Sequence, residues 1–364
     1  MVHKLSIAII SSQCGKTPSD TAYPYVFDEA YILAKKGVEV HVVRSQREKY
    51  STSYGIHFHG IGEYNTYYTL KLFAETFHCY PFVSLVRRPT KLYWEYIYAL
   101  SVSKVVEKYD IDVIHAHFAY PEGWVGFLCK AKLRTKIPFI ITSHGKDLNI
   151  LPEHKYGIRL NPRYNLMVKK VCRNADHIIV PSKLLFLRAV EAGANPQKVT
   201  LLPNAVNLEM FNPKNIDGHL FREKYKLGDS KIILIIRGLR KYYGIESIIR
   251  IASKIPDKLN LKFIIIGRGK PYSDLLSNAG DMLGRKIMLL GNIPHDEIPF
   301  ALAAADVVID PSPLGQGINT LEAMAMEKPV IGIRSRSWDY IVDGYSGFLV
   351  SSDDEMLKKN AISD

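Results

Sequence analysis

Cysteine is scarce in this sequence. Cys14, Cys79, Cys129 and Cys172 are the four in 364 residues. No two of them have metal-ligand or redox spacing, which excludes a cysteine-built metal or redox site and points to free thiols in the cytoplasm. Long apolar runs are also missing: nothing approaches the ~18 residues that a membrane span needs. The start, Lys4 then Leu5 to Ile10 then Ser11-Ser12-Gln13-Cys14, imitates a signal peptide only loosely. Its apolar run is too short and no small-residue cleavage pattern precedes Cys14, so a first buried strand is expected. Acidic residues are in deficit, 36 Asp+Glu against 48 Lys+Arg, for a net charge of +12. The deficit is uneven. Residues 1–215 hold 28 basic and 17 acidic side chains, residues 216–364 hold 20 and 19. A negatively charged partner or surface is therefore expected at the first half.

What is present is ordinary globular material, 47% hydrophobic and 23% charged. A soft prior of ~150 residues per domain suggests two domains. Short runs of Ile, Val and Leu alternate with helical patterns. In the first half they are Leu5–Ile10, Val38–Val43, Val113–His115, Pro138–Thr142, His177–Val180 and Val199–Leu202. In the second half they are Ile232–Ile236, Phe263–Ile266, Ile287–Leu290, Val307–Asp310 and Pro329–Gly332. Runs apolar on both faces predict buried parallel strands, and the alternation predicts doubly wound α/β sheets. The stretch from Leu208 to Asp229 is polar and broken by Pro213 and Gly218, and a fresh strand follows. A boundary near residue 212 is expected, giving domains 1–212 and 213–364 that face a central crevice, the default ligand site.

The segment from Tyr64 to Tyr109 is rich in Tyr and Phe and carries Lys71, Arg87, Arg88, Lys91 and Lys104. Leu92, Tyr93, Tyr96, Ile97 and Leu100 fall on one helical stripe. Two readings stand: an amphipathic helix packed on the sheet, or a surface that meets anionic lipid.

The most informative stretch is Pro311 to Ile331, read as strand end, loop, helix from about Ile318, and strand. Gly315 and Gly317 let backbone N–H groups approach a ligand closely. They feed into a helix start, at Ile318 and Asn319, whose unpaired N–H groups and dipole favour phosphate. Glu322 lies about one turn inside, where a carboxylate can accept hydrogen bonds from a ribose diol. Arg237 follows a buried strand, where a guanidinium can grip phosphate oxygens, and Lys241 is the natural second cation.

Glu322-Ala323-Met324-Ala325, followed after two residues by Lys328-Pro329-Val330-Ile331, resembles the donor-site signature of retaining glycosyltransferase family 4. Further family-like segments stand in the right order: His115-Ala116-His117-Phe118, Thr142-Ser143-His144-Gly145-Lys146-Asp147, Leu202-Pro203-Asn204-Ala205-Val206-Asn207 with Phe211, and Tyr243-Gly244-Ile245. Then come Ile266-Gly267-Arg268-Gly269, Ala305-Asp306-Val307 with Pro311-Ser312, Asp343-Gly344, and Gly347-Phe348-Leu349-Val350. The resemblance implies the GT-B fold: two Rossmann-like doubly wound domains facing a cleft. The chain stops soon after Val350, so an incomplete set of C-terminal helices is expected.

The resemblance also implies roles. Glu322 matches the second glutamate of the family's paired-glutamate motif and would hold the nucleotide ribose. The first glutamate would fall at position 314, where this chain has Leu314. That departure leaves the sugar to backbone N–H groups from Gly315 to Asn319. His144 matches the histidine near the donor sugar and diphosphate and would stabilise developing charge. His115 and His117 end the preceding strand and are expected to be mainly structural, with contact with the site as the alternative. Arg237 is one position off the usual arginine, and Tyr243 stands where a lysine is common.

The expected reaction is a retaining, metal-independent transfer from a nucleotide-diphosphate sugar, without a cofactor. The acceptor would be a hydroxyl of a glycan or lipid-linked molecule in cell-envelope or polysaccharide synthesis. Donor-binding residues would be Gly315, Gly317, Ile318, Asn319 and Glu322, and catalytic residues His144, Arg237 and Lys241. The expected setting is the cytoplasm, with the basic domain peripheral on the inner face of the membrane, and nucleic acid is not an expected partner. The alternative is a catalytically weak GT-B protein that binds nucleotide or glycan without efficient transfer.

Overall fold

The computed structural model describes residues 4–21, 23–62, 66–76, 89–269, 277–314, 317–334 and 340–351. The chain divides into two compact units, Met1–Pro203 and Asn204–Asp364. The division comes ahead of the polar break near residue 212 because Phe211 is already buried in the second unit's core, against Phe221 and Leu227.

The first unit is built on strands β1 (Ser6–Ile10), β2 (Glu39–Val43), β3 (Ser51–Ser53), β4 (Ile56–His59), β5 (Val113–His117), β6 (Phe139–Thr142), β7 (His177–Val180) and β8 (Val199–Leu201). Their order in the sheet is β3-β4-β2-β1-β5-β6-β7-β8. Neighbours are parallel except β3 and β4. Helices cover both faces, so β1 is buried nearly throughout. One face packs Val26, Phe27 and Ala30 of helix Pro24–Lys35 onto Ile9, Val40 and Phe58. The other packs helices Pro89–Lys108 and Glu122–Leu133, with Trp124 fully enclosed.

The helix Pro89–Lys108 contains the stripe expected from the sequence. Of the expected stripe Tyr96, Ile97 and Leu100 are buried, Tyr93 is exposed and the Leu92 side chain lies outside the described residues. Tyr98, Ala99 and Val102 are buried too, so the middle of the helix is enclosed on more than one face, with Lys104, Glu107 and Lys108 exposed beyond it. Tyr98 Oη donates to Val43 O at 2.8 Å, which ties the helix to β2. Arg87 and Arg88 lie outside the described residues, as does the Lys91 side chain, so the lipid-surface expectation falls there. Among the described residues no helix is long and apolar enough to cross a membrane.

The second unit holds strands β9 (Lys231–Ile236), β10 (Leu261–Ile266), β11 (Ile287–Gly291), β12 (Val307–Asp310), β13 (Val330–Ile333) and β14 (Phe348–Val350). All are parallel, in the order β11-β10-β9-β12-β13-β14. Helix Ile245–Lys254 buries Ile245, Ile248, Ile249 and Ile251 on one face of this sheet. Helices Ile298–Ala304 and Ile318–Ala325 help cover the other.

The strand order of the second sheet reverses between β9 and β12, and that of the first reverses between β1 and β5, apart from the antiparallel edge strand β3 outside β4. Loops leaving the carboxyl ends of those strands splay apart there, which is where open α/β sheets take ligands. Residues 352–364, and with them the expected shortfall of final helices, lie outside the described residues.

Candidate functional site

In the second unit the switch point gathers three loops. Arg237 is the first residue beyond β9, and its backbone N–H donates to Ile266 O at 2.9 Å. Its largely buried guanidinium donates through Nη1 to Asn319 Oδ1 at 3.2 Å and lies 3.5 Å from Asp310 Oδ2. The ring of Tyr243 stands 4.6 Å below it, a cation–π distance. Asn319 Nδ2 donates to Ile236 O at 2.9 Å, so one amide side chain clamps both the end of β9 and the arginine. Asp310 closes β12. Its Oδ1 accepts from Ser312 N–H at 3.1 Å and its Oδ2 lies 3.4 Å from Thr320 Oγ1.

Gly317 sits at the N-cap of helix Ile318–Ala325 and offers no side chain to its first N–H groups, which suits them to an anion. A Cβ at Gly317 would overlap Asn319 Oδ1 and Arg237 Nη1. The same tightness holds at Gly244, which has φ of 72° and whose Cβ would overlap Pro311 O. Glu322 is buried within the helix, with Oε1 3.2 Å from Nε2 of the buried His295. Leu314 turns back on itself, its N–H donating to Ser312 Oγ at 3.2 Å.

The expected residues of this unit thus divide. Arg237, Gly317 and Asn319 are brought together, with Ile318 as first residue of the helix and Glu322 one turn on. The Asn319 side chain orients Arg237, a task distinct from the backbone contact expected of it. Lys241 opens the turn Lys241–Tyr243 on the loop that carries Arg237, with its side chain outside the described residues, and Gly315 lies outside them altogether. Sequence reasoning passed over Asp310, His295 and the stacking role of Tyr243. The usable signal for Asp310 is a carboxylate at the end of an otherwise apolar strand.

In the first unit His144 follows β6 and packs among aromatic rings: Tyr25 at 4.5 Å, Phe118 at 4.8 Å and His117 at 5.2 Å between centroids. His144 Nε2 lies 3.0 Å from His117 Nδ1. Burial, with the nearby His115, pushes the His144 imidazole down to about 3, so it is neutral at physiological pH. The turn beneath it is pinned by buried Asp147. Its Oδ1 accepts from Ser143 Oγ at 2.8 Å and Gly145 N–H at 3.1 Å, and its Oδ2 from Ala119 N–H at 2.7 Å.

Across the switch point, Ser12 in the loop after β1 donates its N–H to Glu122 Oε1 at 3.1 Å, and its hydroxyl donates to the same atom. Burial pushes this carboxyl up to about 7. Burial also drives the Cys14 thiol up to about 12, which keeps it protonated and inert. The triplet Asp110-Ile111-Asp112 has Asp-x-Asp spacing but lies at the amino end of β5. Asp112 Oδ2 accepts from Ser6 N–H at 2.8 Å there, joining two strand starts.

The profile described as Glycosyltransferase Family 4 matches residues 25–210, and that described as Glycosyl transferases group 1 matches residues 230–363. An uncharacterized glycosyltransferase of Methanocaldococcus jannaschii is 31% identical over 247 residues, covering 67% of this chain and 62% of that protein. The matched stretch thus spans less than two thirds of that relative's own length. A GDP-mannose-dependent alpha-(1-6)-phosphatidylinositol monomannoside mannosyltransferase of Mycolicibacterium smegmatis is 25% identical over 292 residues, 77% of this chain and 74% of that one. The Anabaena protein HepE, solved in complex with UDP and glucose, superposes with a TM-score of 0.72 at 16% identity, over 99% of this chain and 90% of that one. That likeness shows the fold, GT-B with its two Rossmann-like domains. The family profiles cover both units, in the order the sequence segments run, and the chain belongs to glycosyltransferase family 4.

Proposed function

We propose that the chain is a retaining, metal-independent glycosyltransferase. It moves a sugar from a nucleotide-diphosphate sugar to a hydroxyl of a glycan or lipid-linked acceptor in cell-envelope or polysaccharide synthesis. The observation that carries this reading is the convergence of Arg237, the capless helix start at Gly317 and Glu322 at the switch point of the second sheet. Arg237 and the helix N-terminus would receive the leaving diphosphate, and Lys241 would add a second cation. Charge that develops on the leaving phosphate meets fixed donors, work done by a metal in other folds. Glu322 would hold the ribose, and backbone N–H groups of Gly315 to Asn319 the sugar. His144, held neutral by burial, would lend a dipole to charge near the anomeric carbon. Retention follows from front-face attack in which the leaving phosphate takes the acceptor proton.

The relatives support a nucleotide-sugar donor without agreeing on the base: one is named for GDP-mannose, the other was solved with UDP and glucose. Thermal shifts with UDP, GDP, ADP and CMP, then their sugars, identify the donor, because a ligand of the native state raises its stability. Donor binding undiminished by EDTA, and an α-configured product from an α-configured donor by NMR, are the expected results. Leu314, in place of the family's first glutamate, favours the second reading of a weak binder. A radiolabelled transfer assay beside a donor-hydrolysis assay separates the two. The basic excess of residues 1–215 supports an acidic or lipid-linked acceptor and contact with an anionic membrane surface.

A further inference from the structure

The first unit contains a cluster that the transfer chemistry does not use. Glu29, on helix Pro24–Lys35, reaches over the end of β5 toward His115 and His117. Glu29 Oε1 lies 3.2 Å from His115 Nδ1, and Glu29 Oε2 lies 3.8 Å from His117 Nε2. One ligand atom from each of the three residues falls within 4.8 Å of the other two. His117 is fully buried, and its Nε2 has no hydrogen-bond partner. A buried ring nitrogen left so, beside two other ligand atoms, is costly unless something binds there.

The far side of each imidazole is held as well. His115 Nε2 lies 2.7 Å from Thr142 Oγ1, and His117 Nδ1 lies 3.0 Å from His144 Nε2. Metal-bound histidines characteristically have their second nitrogen fixed by such outer partners. We propose that Glu29, His115 and His117 form a binding site for a divalent transition-metal ion of the zinc type. Two imidazoles and one carboxylate are a three-ligand set that leaves a position open. Glu29 is the least buried of the three, so the open position is assigned to its side. A tetrahedral zinc site with bonds of ~2.0–2.1 Å has edges of about 3.3 Å, and the Glu29 carboxylate, 3.2 and 3.8 Å from the two imidazole nitrogens, stands near that spacing.

The ion would take the lone pairs of His115 Nδ1 and His117 Nε2. That places the protons on His115 Nε2, facing Thr142, and on His117 Nδ1, facing His144. Nε2 of His144 then accepts, and its own proton rests on Nδ1. The ion therefore holds this chain of imidazoles in one tautomer, a structural role apart from donor binding and departure of the diphosphate.

A second cluster, Glu39, His41 and His57, has similar spacing. There His41 engages both nitrogens, with Glu39 at 3.2 Å and His59 at 3.0 Å, and His57 Nδ1 lies 2.7 Å from Tyr50 Oη. It lacks the buried open nitrogen and supplies the control.

The test titrates the full chain, stripped by chelation, with Zn²⁺ by calorimetry and with Co²⁺ by visible absorption. One ion per chain and cobalt d–d bands are expected. Glu29→Gln and Thr142→Val should each weaken binding by about tenfold or more, and His57→Gln should leave it unchanged. Thr142→Val keeps side-chain shape, so it reports even if a ligand variant fails to fold. Absence of binding at millimolar metal, or wild-type affinity in both Glu29→Gln and Thr142→Val, overturns the site and leaves a metal-free carboxylate–histidine network. This readout is independent of donor binding, so it fails or stands apart from the transferase reading.

Discussion

Replacing Gly317 by alanine separates binding from folding. The added methyl overlaps two atoms, Asn319 Oδ1 and Arg237 Nη1. Both are ends of side chains, so the backbone can stay while the pair is pushed apart. What is lost is the hydrogen bond between them, charged on the arginine side, worth ~1.5–3 kcal/mol. Arg237 still has the Tyr243 ring and the Asp310 carboxylate beside it, which limits the loss of stability. The guanidinium, however, leaves the position from which it would meet a diphosphate. At 1.4 kcal/mol per decade the same energy corresponds to a ~10- to 100-fold weaker nucleotide-sugar affinity. Calorimetry on wild type, Gly317→Ala, Arg237→Ala and the double variant checks the argument. Because the methyl acts through Arg237, it should cost almost nothing once Arg237 is gone, giving a large coupling energy. Unchanged affinity in Gly317→Ala, or two strictly additive losses, would refute the assignment of Arg237 as the diphosphate ligand.

Gly244→Ala should behave oppositely, since its methyl meets the main-chain oxygen of Pro311 at φ of 72°; a stability loss of at least ~1–3 kcal/mol in urea unfolding is expected. Glu322→Ala should weaken nucleotide-sugar binding sharply, and unchanged affinity in calorimetry ends the ribose assignment. The carboxyl of Glu122 is raised to about 7 from 4.5, so the folded state holds its proton longer than the unfolded one. Its contribution is present below pH 4.5 and lost as pH climbs to 7, which gives Glu122→Gln a relative gain of about 3 kcal/mol between pH 4 and pH 8. His59 runs the other way. Burial lowers it to about 4, so stability is complete above pH 6.5 and falls as pH drops toward 4, a slope that urea titrations of His59→Gln should flatten. Charge reversal at Arg87, Arg88 and Lys91 should reduce sedimentation with anionic vesicles.

The fold was largely legible because most strands announce themselves as Ile/Val/Leu runs, from Ser6–Ile10 to Val330–Ile333. β4 was not, because its sequence Ile56-His57-Phe58-His59 reads polar at every second position. The histidines pair with one another and with Tyr50 in the folded chain, which no local pattern reveals. In the site, glycine spacing and Glu322 marked the helix start. The partners that give Arg237 its direction were hidden, since Asn319 and Asp310 lie 82 and 73 positions away and meet it only through the order β9-β12. Likewise the nearness of Glu29 to His115 and His117 comes from the helix after β1 crossing the end of β5.

The close approaches at Gly244, Gly267, Gly269 and Gly317, each of which would set a Cβ on an atom of the arginine loop or of Pro311, also bear on how this protein can change over generations. A library randomised at these positions should return glycine alone whenever both folding and donor use are selected. Variation in donor preference is then confined to neighbours that do carry side chains, Leu314 and Tyr243 among them. The conserved surface would be main chain, and the adjustable one a handful of side chains standing at its rim.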